Sequence, residues 1–212
     1  MLRILGKDTS INVRKVLWTC AELGIDYVRE DWGMPLRSPA EPAFLTLNPN
    51  AMVPVIVDAD TGAEPAVLWE SNTICRYLAS RYGDGSLLPP DALARARVEQ
   101  WMDWQAGELN NAWRYAFMAL VRKSPAHADP ARVEHGIAQW HRHMGILDDQ
   151  LEKTGAHAAG DDFSLADIVL GLSANRWLMT PMARPDYPAV RAWMARLRER
   201  PGCAAFCANG IP

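Results

Sequence analysis

The change in pattern between the first 82 residues and the rest of the chain constrains the fold more than any other sequence feature. Residues 2–5 and 27–31 have the short apolar and alternating patterns of strands. Between them, apolar residues from Val13 to Leu23 recur at helical spacing, and Gly24 is a typical helix stop. Two strands joined by one helix predict a parallel pair with a right-handed crossover.

The rest of this first part adds an antiparallel hairpin to the crossover unit. The predicted elements are a short helix over 42–47 ended by Asn48-Pro49-Asn50, strands over 55–58 and 67–69 around a turn-like stretch at 60–63, and a helix over 71–82. The order β-α-β, a short helix and then β-β-α is that of a thioredoxin-like fold.

Only helical patterns follow residue 82. Residues 83–90 are rich in glycine and proline and are typical of a linker. The predicted helices beyond the linker cover 91–121, 131–153, 164–178 and 188–199. The sequence therefore predicts an α/β thioredoxin-like N-terminal domain over 1–82, a linker over 83–90 and an all-α helical domain over 91–212.

Composition excludes several classes of function. The net charge of −3 and the lack of a basic cluster argue against binding to nucleic acid. No apolar run approaches the length of about 20 residues that spans a bilayer, so no membrane association is expected. The first residues do not resemble a signal peptide, and a cytoplasmic location is expected. The four cysteines form no C-x-x-C pair, and His141 and His143 point to different helix faces, so no metal site is predicted.

Three segments in order resemble one family over nearly the full chain. They are residues 47–54 with Val53-Pro54, residues 69–78 with Glu70-Ser71, and residues 160–168 with Ser164 and Asp167. Together they are similar to motifs of the cytosolic glutathione S-transferases, of the bacterial theta-like, serine type. The resemblance implies that glutathione is a co-substrate, that a small hydrophobic electrophile is the second substrate, and that the protein is a homodimer with a role in detoxification. It implies no metal.

The resemblance assigns glutathione-binding roles to two corners of the first domain. It implies a cis Val53-Pro54 bond, with the Val53 backbone paired to the cysteinyl backbone of glutathione. The alternative is a proline that only starts an edge strand. Glu70 and Ser71 open a helix whose free N–H groups favour the γ-glutamyl carboxylate, while Glu70 faces its ammonium group. The alternative for Ser71 is a simple helix N-cap.

The loop after the first strand carries the implied catalytic residues. Ser10 matches the serine position of the theta-like enzymes, and Asn12 matches an asparagine donor of some bacterial relatives. A hydroxyl donor and the N-terminus of the following helix both favour the glutathione thiolate over the thiol. Thr9 competes with Ser10 for this role, and the alternative for Ser10 is an N-cap. Many relatives have a basic residue for the glycine carboxylate of glutathione where this chain has Met52, and Arg37 is the candidate replacement.

The substrate pocket is expected between the loop at 7–12 and the first long helix of the second domain. Trp104, Glu108 and Trp113 are the candidate pocket residues, although aromatic residues at this spacing are more often core. The tail from Phe206 to Pro212 is placed at the pocket mouth. Ser164 and Asp167 have the spacing of a capping box, which indicates a role in folding.

Three functions remain open at this point. The first is transfer of glutathione to an electrophilic carbon. The second keeps glutathione but reduces a disulfide bond or a peroxide, and is motivated by Asn12. The third is a non-catalytic interaction module, supported only by Met52.

Overall fold

The N-terminal part is a four-stranded sheet with helices on both faces. The computed structural model describes residues 1–62 and 64–212, so Ala63, the last residue of the predicted turn, lies outside the described residues. The strand order is β2-β1-β3-β4, with β1 parallel to β2 and antiparallel to β3, and with β3 antiparallel to β4. The strands are β1 (Leu2–Leu5), β2 (Tyr27–Glu30), β3 (Val55–Asp58) and β4 (Ala66–Trp69).

Alternating side chains of this sheet enter two separate cores, as the period of a strand requires. Ile4 and Ile56 face α1 and α3, whereas Leu5 and Val55 face the other side with Phe44 of α2. The helices are α1 (Ile11–Leu23), α2 (Pro42–Leu45) and α3 (Ser71–Tyr82). This topology, with the all-helical part that follows, confirms the thioredoxin-like and all-α prediction.

The second part consists of helices. They are α4 (Ala92–Trp104), a π-helical turn (Gln105–Leu109), α5 (Asn110–Leu120), a 3₁₀ turn (Pro125–His127), α6 (Pro130–Thr154), α7 (Leu165–Met179), α8 (Pro188–Arg198) and α9 (Pro201–Phe206). None of these described helices is both long and apolar enough to cross a membrane. Residues 83–90 separate α3 from the helix at 92, and the domain boundaries at 82 and 91 stay predictions.

Two features of the helical part differ from the sequence prediction. The single helix expected over 91–121 contains a π-helical turn, which apolar periodicity does not distinguish from an α-helix. The short helix α9 was not expected, because the last predicted helix ended at residue 199. Proline occupies the first turn of α9, where its missing N–H costs nothing.

The short helix α9 is held firmly against α1. Trp18 of α1 is fully buried, and a Cβ added to Gly202 would lie 2.4 Å from its Cδ1, so only glycine allows this approach. Arg200 also pairs with Glu22 of α1, with 2.6 Å between Nη2 and Oε2. The chain after α9 is therefore directed back over the first turn of α1.

The predicted capping box at the start of α7 is present. Asp167 is fully buried, and its carboxylate accepts hydrogen bonds from the backbone N–H groups of Ser164 (2.9 Å) and Ala158 (3.0 Å). Its Oδ1 also accepts one from Nε1 of Trp193 in α8, at 2.8 Å. The carboxylate thus joins α7, α8 and the preceding loop.

Candidate active site

A small cavity of about 80 Å³ opens where the first turn of α1, the loop before β3 and the start of α3 meet. Its lining contains five of the six residues predicted for catalysis and glutathione binding: Asn12, Val53, Pro54, Glu70 and Ser71. Asn48 and Met52 complete it. Residues from three separate segments of the chain therefore converge on one site.

The loop before β3 is held in shape by a buried asparagine. The Val53-Pro54 bond is cis, as the resemblance implied. Asn48 is only 2% exposed, and its Nδ2 donates to the Met52 carbonyl at 2.9 Å while its Oδ1 accepts from the Asn50 N–H at 3.0 Å. Sequence reasoning placed Asn48 in a helix stop and in the 47–54 motif but gave its side chain no role. An asparagine before a proline is common where a helix ends, so its position between Leu47 and Pro49 does not indicate that its side chain is buried.

Glu70 and Ser71 present the start of α3 to the cavity. Glu70 is the N-cap residue, with φ of 70°, and its side chain makes no capping hydrogen bond. A non-glycine residue in this left-handed region is strained, and such residues cluster at functional sites. Ser71 is the first helical residue and is buried, so the reading of Ser71 as N-cap is wrong. The first N–H groups of α3 lie beside the cavity without helical partners.

Ser10 is the N-cap of α1 but does not cap with its side chain. Its backbone is extended and its hydroxyl makes no capping hydrogen bond. Ser10 is partly buried and is not among the residues that line the cavity, whereas Asn12 is; Thr9 is exposed. The hydroxyl of Ser10 therefore does not cap α1, and it can donate a hydrogen bond to a ligand at the N-terminal end of this helix.

A buried lysine lies behind the cavity wall. Lys15 is 2% exposed, and its Nζ donates to Oδ1 of Asn72 at 3.1 Å and to Oε1 of Gln105 at 2.7 Å. Burial lowers the pKa of Lys15 to about 8. Asn72, which follows Ser71, donates to the Met102 carbonyl at 2.8 Å. The network joins α1, α3 and the π-helical turn, and sequence reasoning missed it.

The structure does not bring the three predicted pocket residues together in this cavity. Trp104 packs against Trp101 and His143, with ring centroids 5.2 and 5.8 Å away. Glu108 is exposed on the π-helical turn. Trp113 is 9% exposed, and the guanidinium of Arg176 lies 4.6 Å from its ring centroid. Their role as a substrate pocket stays a prediction.

Met52 leaves the cavity without a basic residue of its own. Met52 is exposed, and Arg37, the alternative cation considered, pairs with Glu41 at 2.9 Å and stacks on Trp32. The side chain of Lys7 lies near Val53 but is not part of the cavity lining. The side chains of Lys7 and Val53 both lie about 3.5 Å from the point where a Cβ on Gly33 would stand. Lys7 donates to the Met34 carbonyl in the same loop region.

Comparison with known proteins identifies the family. The model of the glutathione S-transferase N-terminal domain matches residues 9–81, and that of the C-terminal domain matches residues 130–196. Glutathione S-transferase GstB of Escherichia coli strain K12 is 33% identical over 201 residues, with 95% of each chain covered. The chain belongs to the glutathione S-transferase family. The family prediction is confirmed.

Two other relatives of this glutathione S-transferase are informative. One has a solved structure, and the other is named for a different activity. The theta class glutathione S-transferase of Xanthomonas axonopodis pv. citri, solved with glutathione bound, superposes with a TM-score of 0.90 at 34% identity and covers 100% of this chain and 99% of its own. Disulfide-bond oxidoreductase YfcG of Escherichia coli strain K12 is 32% identical over 199 residues, with 90% and 87% of the chains covered.

Proposed function

We propose that this glutathione S-transferase binds glutathione in the cavity at Asn12, Val53, Pro54, Glu70 and Ser71, and attacks a small hydrophobic electrophile with the glutathione thiolate. The convergence of these five residues from three chain segments carries the proposal. The theta class relative solved with glutathione bound, similar over the whole chain, supports it.

The cavity and the loops beside it offer a matching group for each end of glutathione. The γ-glutamyl carboxylate lies at the N-terminus of α3, where free N–H groups and the Ser71 hydroxyl donate to it. The exposed Glu70 carboxylate pairs with the γ-glutamyl ammonium. The backbone of Val53 pairs with the cysteinyl unit as an added strand does. Lys7 supplies the cation for the glycine carboxylate that Met52 does not provide.

Ser10 and Asn12 stabilise the thiolate at the start of α1. A fall of about 2 units from the thiol's ordinary pKa of about 8.5 corresponds to about 2.7 kcal/mol. One hydrogen bond to a charged acceptor together with a helix N-terminus supplies energy of this order. The thiolate sulfur then forms a bond with the electrophilic carbon, and the leaving group departs with its electron pair. The protein forms no covalent bond in this step.

Titration of the bound thiolate by its ultraviolet absorbance tests these roles. We expect Ser10→Ala to raise the pKa of enzyme-bound glutathione by 1 to 2 units, or about 1.4 to 2.7 kcal/mol, and to lower kcat at neutral pH accordingly. Asn12→Ala is expected to raise this pKa by a smaller amount. Thr9→Ala is the matched control and is expected to leave the pKa unchanged. An unchanged thiolate pKa in Ser10→Ala would refute the role of Ser10.

Reduction of a disulfide or peroxide is the second candidate function. Asn12 lines the cavity whereas Ser10 does not, and a disulfide-bond oxidoreductase is among the 32% identical relatives. Turnover of an aryl halide compared with that of a mixed disulfide and of a hydroperoxide distinguishes the two. Activity with the disulfide or peroxide alone supports the second candidate. Activity with neither class would support an interaction module instead.

We also propose a homodimer and a role in detoxification, which follow from the family resemblance. Light scattering during gel filtration tests the first, since a dimer has twice the mass of the 23.6 kDa chain. Survival of a deletion strain exposed to electrophiles tests the second.

A further inference from the structure

The buried ammonium group of Lys15 stands behind the cavity proposed for glutathione. Lys15 follows Asn12 by three residues in α1, so the two side chains leave the helix on the same side, and Asn12 lines the cavity. The Nζ of Lys15 donates to Oδ1 of Asn72 at 3.1 Å, and Asn72 is the neighbour of Ser71, which also lines the cavity. Lys15 therefore connects α1 with the first turn of α3 at the back of the site.

The charge of this ammonium is not balanced by its hydrogen-bond partners. Both acceptors of Lys15 are neutral amide oxygens, the second belonging to Gln105 of the π-helical turn. Burial has the largest influence on the pKa of Lys15 and lowers it. Cys75 and Glu70, from α3 and its N-cap, raise this pKa, and Arg176 of α7 lowers it. An anion that binds nearby therefore stabilises the charged form of Lys15.

A network of buried hydrogen bonds holds the ammonium in this position. Gln105 is 1% exposed, and its Nε2 donates to Oγ of Ser173 in α7 at 2.9 Å. Asn72 donates to the Met102 carbonyl at 2.8 Å. Gln105 opens the π-helical turn, and such turns are frequent at functional sites. Lys15 is thus fixed in the interior by elements from both halves of the chain.

We propose that Lys15 is a positioning residue for glutathione: its ammonium holds the first turn of α3 against the cavity, and its charge favours the γ-glutamyl carboxylate at that turn. The inference rests on the proposed function and deepens it. Glutathione brings two carboxylates and one ammonium, and Glu70 pairs with that ammonium, so the effect of the ligand on Lys15 is that of an anion. Lys15 touches neither the ligand nor the reacting sulfur, and it acts through Asn72 and through space.

Glutathione binding and protonation of Lys15 are linked in this arrangement. An opposite charge beyond hydrogen-bond distance in a poorly solvated site raises the pKa of a lysine by about one unit. By reciprocity, the protein with charged Lys15 binds the ligand about tenfold more tightly than the protein with neutral Lys15. Because the pKa of free Lys15 is about 8, both protonation states can be sampled under ordinary conditions.

NMR of the wild-type protein tests this linkage with S-methylglutathione, which keeps both ends of glutathione but has no thiol to titrate. Lysine labelled with ¹³C at Cε reports the pKa of each of the four lysines, at positions 7, 15, 123 and 153. Lys→Arg variants of the other three assign the Lys15 signal. We expect saturation with the ligand to raise the pKa of Lys15 by about one unit and to leave those of the exposed Lys123 and Lys153 unchanged.

Two substitutions of Lys15 separate its charge from its packing. Lys15→Met removes the charge and should raise the Kd of S-methylglutathione about tenfold at pH 7. Lys15→Arg keeps a charge that does not titrate, so its Kd should match that of the wild type at pH 7 and be about eightfold lower at pH 9.5. Lys153→Met is the matched control and should follow the wild type. Cys75 stays protonated over this range, because burial raises the pKa of its thiol to about 11.

The amino group of the ligand titrates alike in every comparison, so the proteins are compared with one another at each pH. A purely structural role of Lys15 would weaken binding in the variants by the same factor at every pH and would leave the pKa of Lys15 unchanged on binding. Either an unchanged pKa of Lys15 or a wild-type Kd of Lys15→Met at pH 7 would overturn the inference and leave the transferase function intact. If Lys15→Met does not fold, the titration of the wild type still decides. Failure of the wild type to bind S-methylglutathione would refute the proposed function itself.

Discussion

The buried lysine behind the cavity predicts an unusual dependence of stability on pH. Lys15 has no carboxylate among its hydrogen-bond partners, only the amide oxygens of Asn72 and Gln105. Burial lowers its pKa to about 8. Relative to the ordinary lysine value of about 10.4, this fall corresponds to about 3 kcal/mol that the charged form costs the native state.

The free energy of unfolding changes with pH because the native and unfolded states bind different numbers of protons. Between pH 8 and about 10.4 the unfolded chain keeps the proton on Lys15 while the native protein has lost it. The free energy of unfolding therefore rises with pH across this window, by up to about 3 kcal/mol from this residue. Below pH 8 both states carry the proton and the full cost of burial is present.

Replacement of Lys15 by methionine isolates this contribution. The variant keeps the length of the side chain and removes the charge, while the amide oxygens of Asn72 and Gln105 lose a donor at every pH. Urea unfolding, followed by the fluorescence of the nine tryptophans, gives the free energy of unfolding of both proteins from pH 7 to 10.5. We expect the wild-type value, relative to the variant, to rise by about 2 to 3 kcal/mol over this range.

Cysteines and tyrosines that are remote from Lys15 also titrate in this range and cancel in the difference, whereas Cys75, whose thiol pKa Lys15 lowers, does not. Lys153→Met is the control, because Lys153 is exposed near the end of α6 and its removal should leave the difference flat. If the difference for Lys15→Met is also flat, Lys15 is not a desolvated cation, and the account of the network is wrong.

Three further predictions concern the capping carboxylate and the ends of glutathione. Asp167→Asn should lower the free energy of unfolding by about 3 kcal/mol, because the buried N–H donors of Ser164, Ala158 and Trp193 lose a charged acceptor. Urea unfolding measures this loss, and kcat should change little while the variant is folded. Glu70→Gln should raise the KM for glutathione by about tenfold with the thiolate pKa unchanged, as expected for loss of one ion pair. Lys7→Gln should also raise the KM for glutathione, because the glycine carboxylate loses its cation. Glutathione ethylated at the glycine carboxylate should bind equally to the wild type and to this variant. A lower kcat with unchanged KM in either variant would contradict its binding role.

The sheet and most helices could be predicted from sequence because their signals are local. Ile4 and Leu5 enter opposite cores because successive strand residues alternate, and α1 ends at Gly24, which has φ of 64°. The cavity was also predictable, since Pro54 and Glu70 lie in short segments that resemble family motifs. The π-helical turn and α9 were not, because a π turn keeps an apolar stripe and a proline starts a helix as readily as it ends one.

Within the sequence, Arg14 and Lys15 look like ordinary polar positions of an amphipathic helix, whereas Arg176 lies in the almost wholly apolar α7. For Arg14 and Lys15 nothing local indicates burial, because a charged residue in a helical pattern is usually solvated. Their environment depends on which elements pack together: α1 on α3 and the π-helical turn around Lys15, and α1 with α7 and the chain after α9 around the arginines. The sequence alone determined the family and the fold, and it predicted five of the residues that line the proposed glutathione site. Only the tertiary structure decided where the buried cations lie, because desolvation depends on neighbours that are distant in the chain.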